Sequence, residues 1–113
     1  MGKLTTHVLD TAHGSPAKGM AVRLYRGKTL LLKTKTNADG RCNAPLLEGT
    51  SFKKGKYRLE FDAAAYFKTQ GVKLAKTPFL GTVTIDFGID DAGAHYHVPL
   101  LVSPYGYSTY RGS

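Results

Sequence analysis

The chain is poor in cysteine and in acidic residues and lacks any long apolar run, and each shortage removes a class of protein. Of its 113 residues only Cys42 is a cysteine. A lone thiol closes no internal disulfide, so nothing requires an oxidising compartment. Arg41 beside it would favour the thiolate, but the plainer reading is a half-buried small residue. No stretch approaches the length of a membrane span. After Met1 come Gly2-Lys3 and then polar Thr5-Thr6-His7, where the apolar core of a secretory signal would run, so the expected location is the cytoplasm. The glycines are spread through turns and form no nucleotide-binding loop. None of the serines Ser15, Ser51, Ser103, Ser108 and Ser113 has a nucleophile-elbow context.

Eight Asp+Glu stand against sixteen Lys+Arg, a formal charge of +8. Such a balance raises nucleic-acid binding as a function. The distribution argues against it. The lysines are scattered, and the one tight cluster, Lys53-Lys54-Gly55-Lys56, reads as a solvated turn before a strand. A positive field that draws in a small anion is the better use of this charge.

What is present is a period of two. Leu4, Thr6 and Val8 alternate with Thr5, His7 and Leu9 in a first strand. Gly14-Ser15-Pro16 breaks it. Met20, Val22 and Leu24 face inward from a second strand, and Arg26-Gly27-Lys28 turns the chain into a third over residues 29–36. Asn37-Ala38-Asp39-Gly40 is a strong turn signal. An extended piece runs to about Leu47, and Tyr57, Leu59 and Phe61 mark the next strand. One helix is predicted from a cap at Asp62 through Ala63-Ala64-Ala65 to about Thr69. Val83, Ile85 and Phe87 define a strand over 81–87. After the turn at Asp90-Asp91-Ala92-Gly93, residues 95–103 form a long strand and residues 107–111 the last. Seven or eight short strands with one helix predict a mainly β sandwich, a single domain over 1–113.

Alternation also separates core from site. In the 95–103 strand one face carries Tyr96, Val98, Leu100 and Val102, which reads as core. The other carries His95, His97, Pro99, Leu101 and Ser103. His7 with Leu9 faces outward from the first strand, and Ser108 with Tyr110 from the last, leaving Tyr107 and Thr109 on the core side. Three outer faces, part apolar and part polar, suit an oligomer interface with a pocket in it. The alternative is that they are unrelated surface residues.

His7 and His97 can move protons near neutral pH. Arg41 can clamp an anion or a developing oxyanion. Tyr110 offers a hydroxyl and a flat ring. Together these would suit hydrolysis of a small, anionic, heterocyclic amide. The rival chemistry is a zinc hydrolase using His7, His95 and His97. His13, beside Gly14 in a loop, reads as a solvated histidine.

Three motifs carry a family resemblance: His7-Val8-Leu9-Asp10 followed by Gly14-Ser15-Pro16-Ala17, the turn Thr36-Asn37-Ala38-Asp39-Gly40-Arg41, and the block ending Tyr110-Arg111-Gly112-Ser113. The chain resembles the 5-hydroxyisourate hydrolases, the transthyretin-related enzymes of urate breakdown. The resemblance spans nearly the whole chain and is weakest over residues 66–79. It implies a transthyretin-like (prealbumin-like) sandwich of two four-stranded sheets with one short α-helix, assembled as a homotetramer, a dimer of dimers. It implies hydrolysis of 5-hydroxyisourate without cofactor or metal. His7, Arg41 and His97 would be catalytic, and His7, Arg41, Tyr110 and Ser113 would bind substrate. His7 is the expected base and His97 the acid or water-orienting group, with the two roles exchangeable. The alternative is a transthyretin-like carrier of a flat aromatic ligand, against which the histidines and the Tyr-Arg-Gly-Ser ending weigh.

Overall fold

The computed structural model describes residues 2–112. The period-two segments become strands: β1 (Lys3–Asp10), the two-residue β2 (Ser15–Pro16), β3 (Ala21–Arg26) and β4 (Thr29–Lys35). The stub β5 (Leu47–Glu48) follows, then β6 (Gly55–Asp62), helix α1 (Ala63–Thr69), β7 (Thr82–Ile89), β8 (His95–Ser103) and β9 (Gly106–Thr109). One sheet has the order β4-β3-β6-β7, and the other runs β2-β1-β8-β9 with β5 also on β1. The predicted sandwich is present, with one refinement: the fourth place beside β1 is shared by two stubs. β5 pairs with Lys3 and Leu4 at one end, and β2 with Leu9 and Asp10 at the other.

The inward sets meet as the alternation predicts. Leu4, Val8, Leu100 and Val102 pack from one sheet, Val22, Leu24, Leu59 and Phe61 from the other, and Phe67 of α1 closes the core. Each such side chain contributes about 1.5–3 kcal/mol by leaving water. β1 and β8 run parallel, which places Thr5 opposite His97 and His7 opposite Pro99. Parallel pairing keeps the odd-numbered residues of both strands on one outer face.

Four expectations need correction. Asp62 stands at the N-cap of α1 but its side chain does not cap. Its carboxylate instead takes both terminal nitrogens of Arg23, at 2.8 and 2.9 Å, while Arg23 Nε bonds Glu60. A bidentate, charged pair outcompetes a single helix amide, and the Ala64 amide goes to the Gly81 carbonyl. β9 lies at the sheet edge, so Tyr107 is exposed rather than core. Tyr110 falls beyond the end of β9, where alternation no longer governs it. His13 is exposed as expected but is not free: its Nδ1 lies 2.6 Å from the carboxylate of buried Asp10.

Candidate functional site

The turn over residues 36–41 aims Arg41. Thr36 is buried, donates to the Ala17 carbonyl and accepts from the Met20 amide. The Asn37 side-chain oxygen receives the amides of Asp39 and Arg41. Gly40 has φ 74° and presses against β1, with its carbonyl receiving the Val8 amide at 2.7 Å. A Cβ there would lie 2.4 Å from the Val8 carbonyl oxygen, so the turn and the close approach both demand glycine. Arg41 follows and forms a backbone bridge with His7.

The same turn orients His7. Its Nε2 lies 2.9 Å from the Asp39 carbonyl oxygen. A carbonyl only accepts, so Nε2 carries the proton and the neutral ring leaves Nδ1 as its basic nitrogen. On the neighbouring strand, His97 is half-buried and its Nδ1 lies 2.8 Å from Thr5 Oγ1. Thr5 Oγ1 also lies 2.7 Å from His95 Nε2. Burial first, then the Arg41 guanidinium and the neighbouring His95 and His7 rings, hold His97 below the ordinary imidazole value, which favours its neutral form.

Beside His97, His95, Thr5 and Arg41, with His7 outside its lining, opens a cleft of about 390 Å³, where residues 41–45 leave the edge of β1 between its two stubs. Lys3, Thr5, Arg41, Cys42, His95 and His97 are among its lining, and among the described residues no carboxylate is. Its size suits a single small heterocycle. His7 lies one outward position beyond Thr5 on β1, tied to Arg41. Burial pushes the Cys42 thiol up, against the reading that Arg41 activates it. The three imidazoles of the zinc alternative do not converge: among the described residues no group of three or more His, Cys, Asp or Glu side chains is placed to share an ion.

The C-terminal block docks along β8 through two contacts, one on its core side and one at His97. The Arg111 guanidinium sits 4.0 Å over the ring of Tyr96. The Gly112 amide donates to the His97 carbonyl at 2.7 Å. A Cβ on Gly112 would lie 2.6 Å from His97 Cδ2 and 3.1 Å from its Cβ. Glycine is needed here to let the backbone lie against the imidazole. Gly112→Ala is expected to displace the His97 ring and lower kcat by about 10–100-fold, the usual penalty for misplacing a reacting group by an ångström. Thermal unfolding beside turnover measurements would separate this from loss of fold.

Tyr110 is not brought to the histidines within one chain. Its ring lines a second, smaller cavity with Ile85, Phe87, Tyr96 and Val98, at the open edge between the sheets. Ser113 lies outside the described residues. Sequence reasoning missed Thr5 and Gly112. Thr5 looked like one polar residue of an alternating strand, and only its register against His97 reveals its place.

A family model described as the HIUase/Transthyretin family matches residues 4–112. The chain belongs to this family. Within the family it is 56% identical to a 5-hydroxyisourate hydrolase of Ralstonia nicotianae, with the whole of both chains covered. Among solved structures it is similar to (S)-allantoin synthase, with TM-score 0.95 and 45% identity, covering 99% of this chain and 44% of that one. It is similar to Klebsiella pneumoniae 5-hydroxyisourate hydrolase, with TM-score 0.85, 37% identity and both chains fully covered. Sea bream transthyretin in complex with thyroxine is a further fold neighbour, with TM-score 0.85 and 30% identity, covering 97% of this chain and 94% of that one.

Proposed function

We propose that the chain is a 5-hydroxyisourate hydrolase. It would open the six-membered ring at an amide bond to give 2-oxo-4-hydroxy-4-carboxy-5-ureidoimidazoline. One observation carries this reading: the turn that places Arg41 also bridges it to His7 and fixes that ring's tautomer, in a chain 56% identical over its full length to a hydrolase of that name.

The roles follow from the atoms. His7, with Nε2–H held by the Asp39 carbonyl, takes a proton from water at Nδ1. The water attacks the ring carbonyl, and Arg41 stabilises the tetrahedral oxyanion, an effect of about 3–4 kcal/mol for a well-placed donor. His97 protonates the leaving nitrogen through Nε2, the ring nitrogen that Thr5 leaves open. Collapse of the oxyanion breaks the C–N bond. Lys3 and Arg41 give the cleft a positive potential that favours an anionic substrate.

The working form is a homotetramer, a dimer of dimers, as the family resemblance implies. The half-buried Leu9 and Leu101, paired in register on the outer face beside the site, support that assembly. Tyr110 and Ser113 enter substrate binding in this assembled form. Light scattering is expected to give four chains, and a strict monomer would remove the interfacial site.

The activity test is direct. Freshly generated 5-hydroxyisourate has an ultraviolet signal that decays spontaneously, and the protein is expected to accelerate that decay. No acceleration would leave the chain as a carrier of a flat aromatic ligand on the same fold.

A further inference from the structure

Thr5 does more in the cleft than leave His97 Nε2 open. Thr5 Oγ1 sits between two imidazoles, 2.7 Å from His95 Nε2 and 2.8 Å from His97 Nδ1. A threonine hydroxyl has one proton to donate and lone pairs to accept with. Whenever it donates to one ring it can only receive an N–H from the other, and the tautomers of the two rings are then linked. When Thr5 donates to His97 Nδ1, His97 carries its proton on Nε2 and His95 donates from Nε2. When Thr5 donates to His95, His97 donates from Nδ1 and its Nε2 is bare. Passing a proton from the hydroxyl to Nδ1, as Nε2 gives up its own, exchanges His97 between a proton donor and a proton acceptor at Nε2.

We propose that His95, Thr5 and His97 form a proton relay, in which Thr5 is a positioning residue and solvent-exposed His95 is the proton's point of entry. The inference rests on the hydrolase reading above. In the protonation step the Nε2–H bond of His97 breaks and an N–H bond forms on the leaving nitrogen. The Thr5 proton passes to His97 Nδ1, and the Nε2 proton of His95 passes to Thr5. His95 goes from imidazolium to neutral imidazole, which balances the negative charge lost as the oxyanion collapses. His97 stays neutral throughout. This suits a half-buried ring among positive groups, because the charge is held on the exposed ring instead. The groups facing His95 and His97 are Lys3, which pairs in register with His95, together with Arg41 and His7. These groups are basic, and the nearest carboxylate in register among the described residues, Glu48, pairs with Lys3 one strand beyond His95.

The test uses Thr5→Val, which keeps the shape of the side chain and removes the hydroxyl, Thr5→Ser, which keeps the hydroxyl, and His95→Phe. Thr5→Val and His95→Phe are each expected to lower kcat by about 10–100-fold, with KM within about two-fold, as befits a group that acts only on proton transfer. Thr5→Ser should recover to within about three-fold of the parent. The Thr5→Val, His95→Phe double variant should be no slower than the worse single, because both cut one chain. Imidazole nitrogen chemical shifts, read by NMR on the resting protein, supply a readout independent of turnover. In the parent, titrating His95 should change the tautomer populations of His97, and in Thr5→Val it should not. The relay is overturned if either single variant keeps parental kcat, if the two losses multiply, or if the His97 tautomer ignores His95 in the parent. An inactive parent whose tautomers are linked would sink the hydrolase reading and leave the linkage standing.

Discussion

His7→Asn and His97→Asn are each expected to lower kcat/KM on freshly generated 5-hydroxyisourate by about 10²–10⁴-fold, the range lost when a positioned general acid or base is removed. Asparagine is chosen because it is small, polar and does not titrate. At position 7 it is too short to reach the Asp39 carbonyl, which the distal nitrogen of the His7 ring meets at 2.9 Å, so His7→Gln serves as the companion variant that keeps this bond. At position 97 it can still reach Thr5, 2.8 Å from the native ring. What each substitution deletes is the titratable nitrogen. Arg41→Lys should cost about 10²–10³-fold, because a point charge cannot reproduce a guanidinium fork aimed at an oxyanion. Stopped-flow absorbance, corrected for spontaneous decay, provides the measurement. The two histidine variants should differ in kind. His7→Asn removes the base that generates the nucleophile, so added imidazole of suitable size should restore part of its rate. His97 is covered by Gly112 and wedged against Thr5, so His97→Asn should resist such rescue. If both asparagine variants turn over substrate like the parent, the assignment of these histidines to the chemistry is wrong.

How far the sequence led depends on how local each feature is. β8 was legible from end to end, because its inward series Tyr96, Val98, Leu100 and Val102 runs the length of the strand, although outward Pro99 is buried as well. The helix was legible from three alanines, and the Arg41 turn from Asn37, Asp39 and Gly40. The division of β8 into a core face and a histidine face followed from the same alternation. Tyr110 was misplaced because β9 stops at Thr109, and the side chain then turns to the inter-sheet edge. Thr5 was overlooked because its partners lie ninety or more residues away and meet it only through a parallel pairing that no local pattern encodes. The stubs β2 and β5 are two residues each, too short to show a period. Asp10 did leave a trace. It continues the inward series Leu4, Thr6, Val8, and a carboxylate at an inward position asks for buried partners.

Asp10→Ala is expected to destabilise the fold by about 3 kcal/mol, because it orphans a buried hydroxyl and breaks a network at once. The Asp10 carboxylate is fully shielded. One oxygen accepts the amides of Ala12 and His13, and the other accepts Tyr66 Oη at 2.7 Å and His13 Nδ1 at 2.6 Å. The bonds join the end of β1 to α1, two elements with no strand pairing between them. Burial works against the charge, but the hydrogen bonds from Tyr66 and His13 outweigh it and hold Asp10 below the ordinary carboxylate value of 3.8. The sign of the pH effect follows. The unfolded chain binds the proton more readily, so this stabilisation is complete above pH 3.8 and is lost as pH falls through the lower folded value. Asp10→Asn should therefore be less stable than the parent at pH 7, with the gap in urea midpoint narrowing as the pH is taken below 3.8. Tyr66→Phe, which removes one donor and leaves the carboxylate its other three, should cost only about 1 kcal/mol. An Asp–His pair is also the orienting half of many catalytic triads, and here kinetics distinguish the two roles. Both of the carboxylate's side-chain partners are accounted for by α1 and the loop after β1, and neither lines the cleft. The folded fraction of Asp10→Asn is therefore expected to keep parental kcat and KM. A variant that stayed fully folded but lost turnover would move Asp10 from scaffold to chemistry.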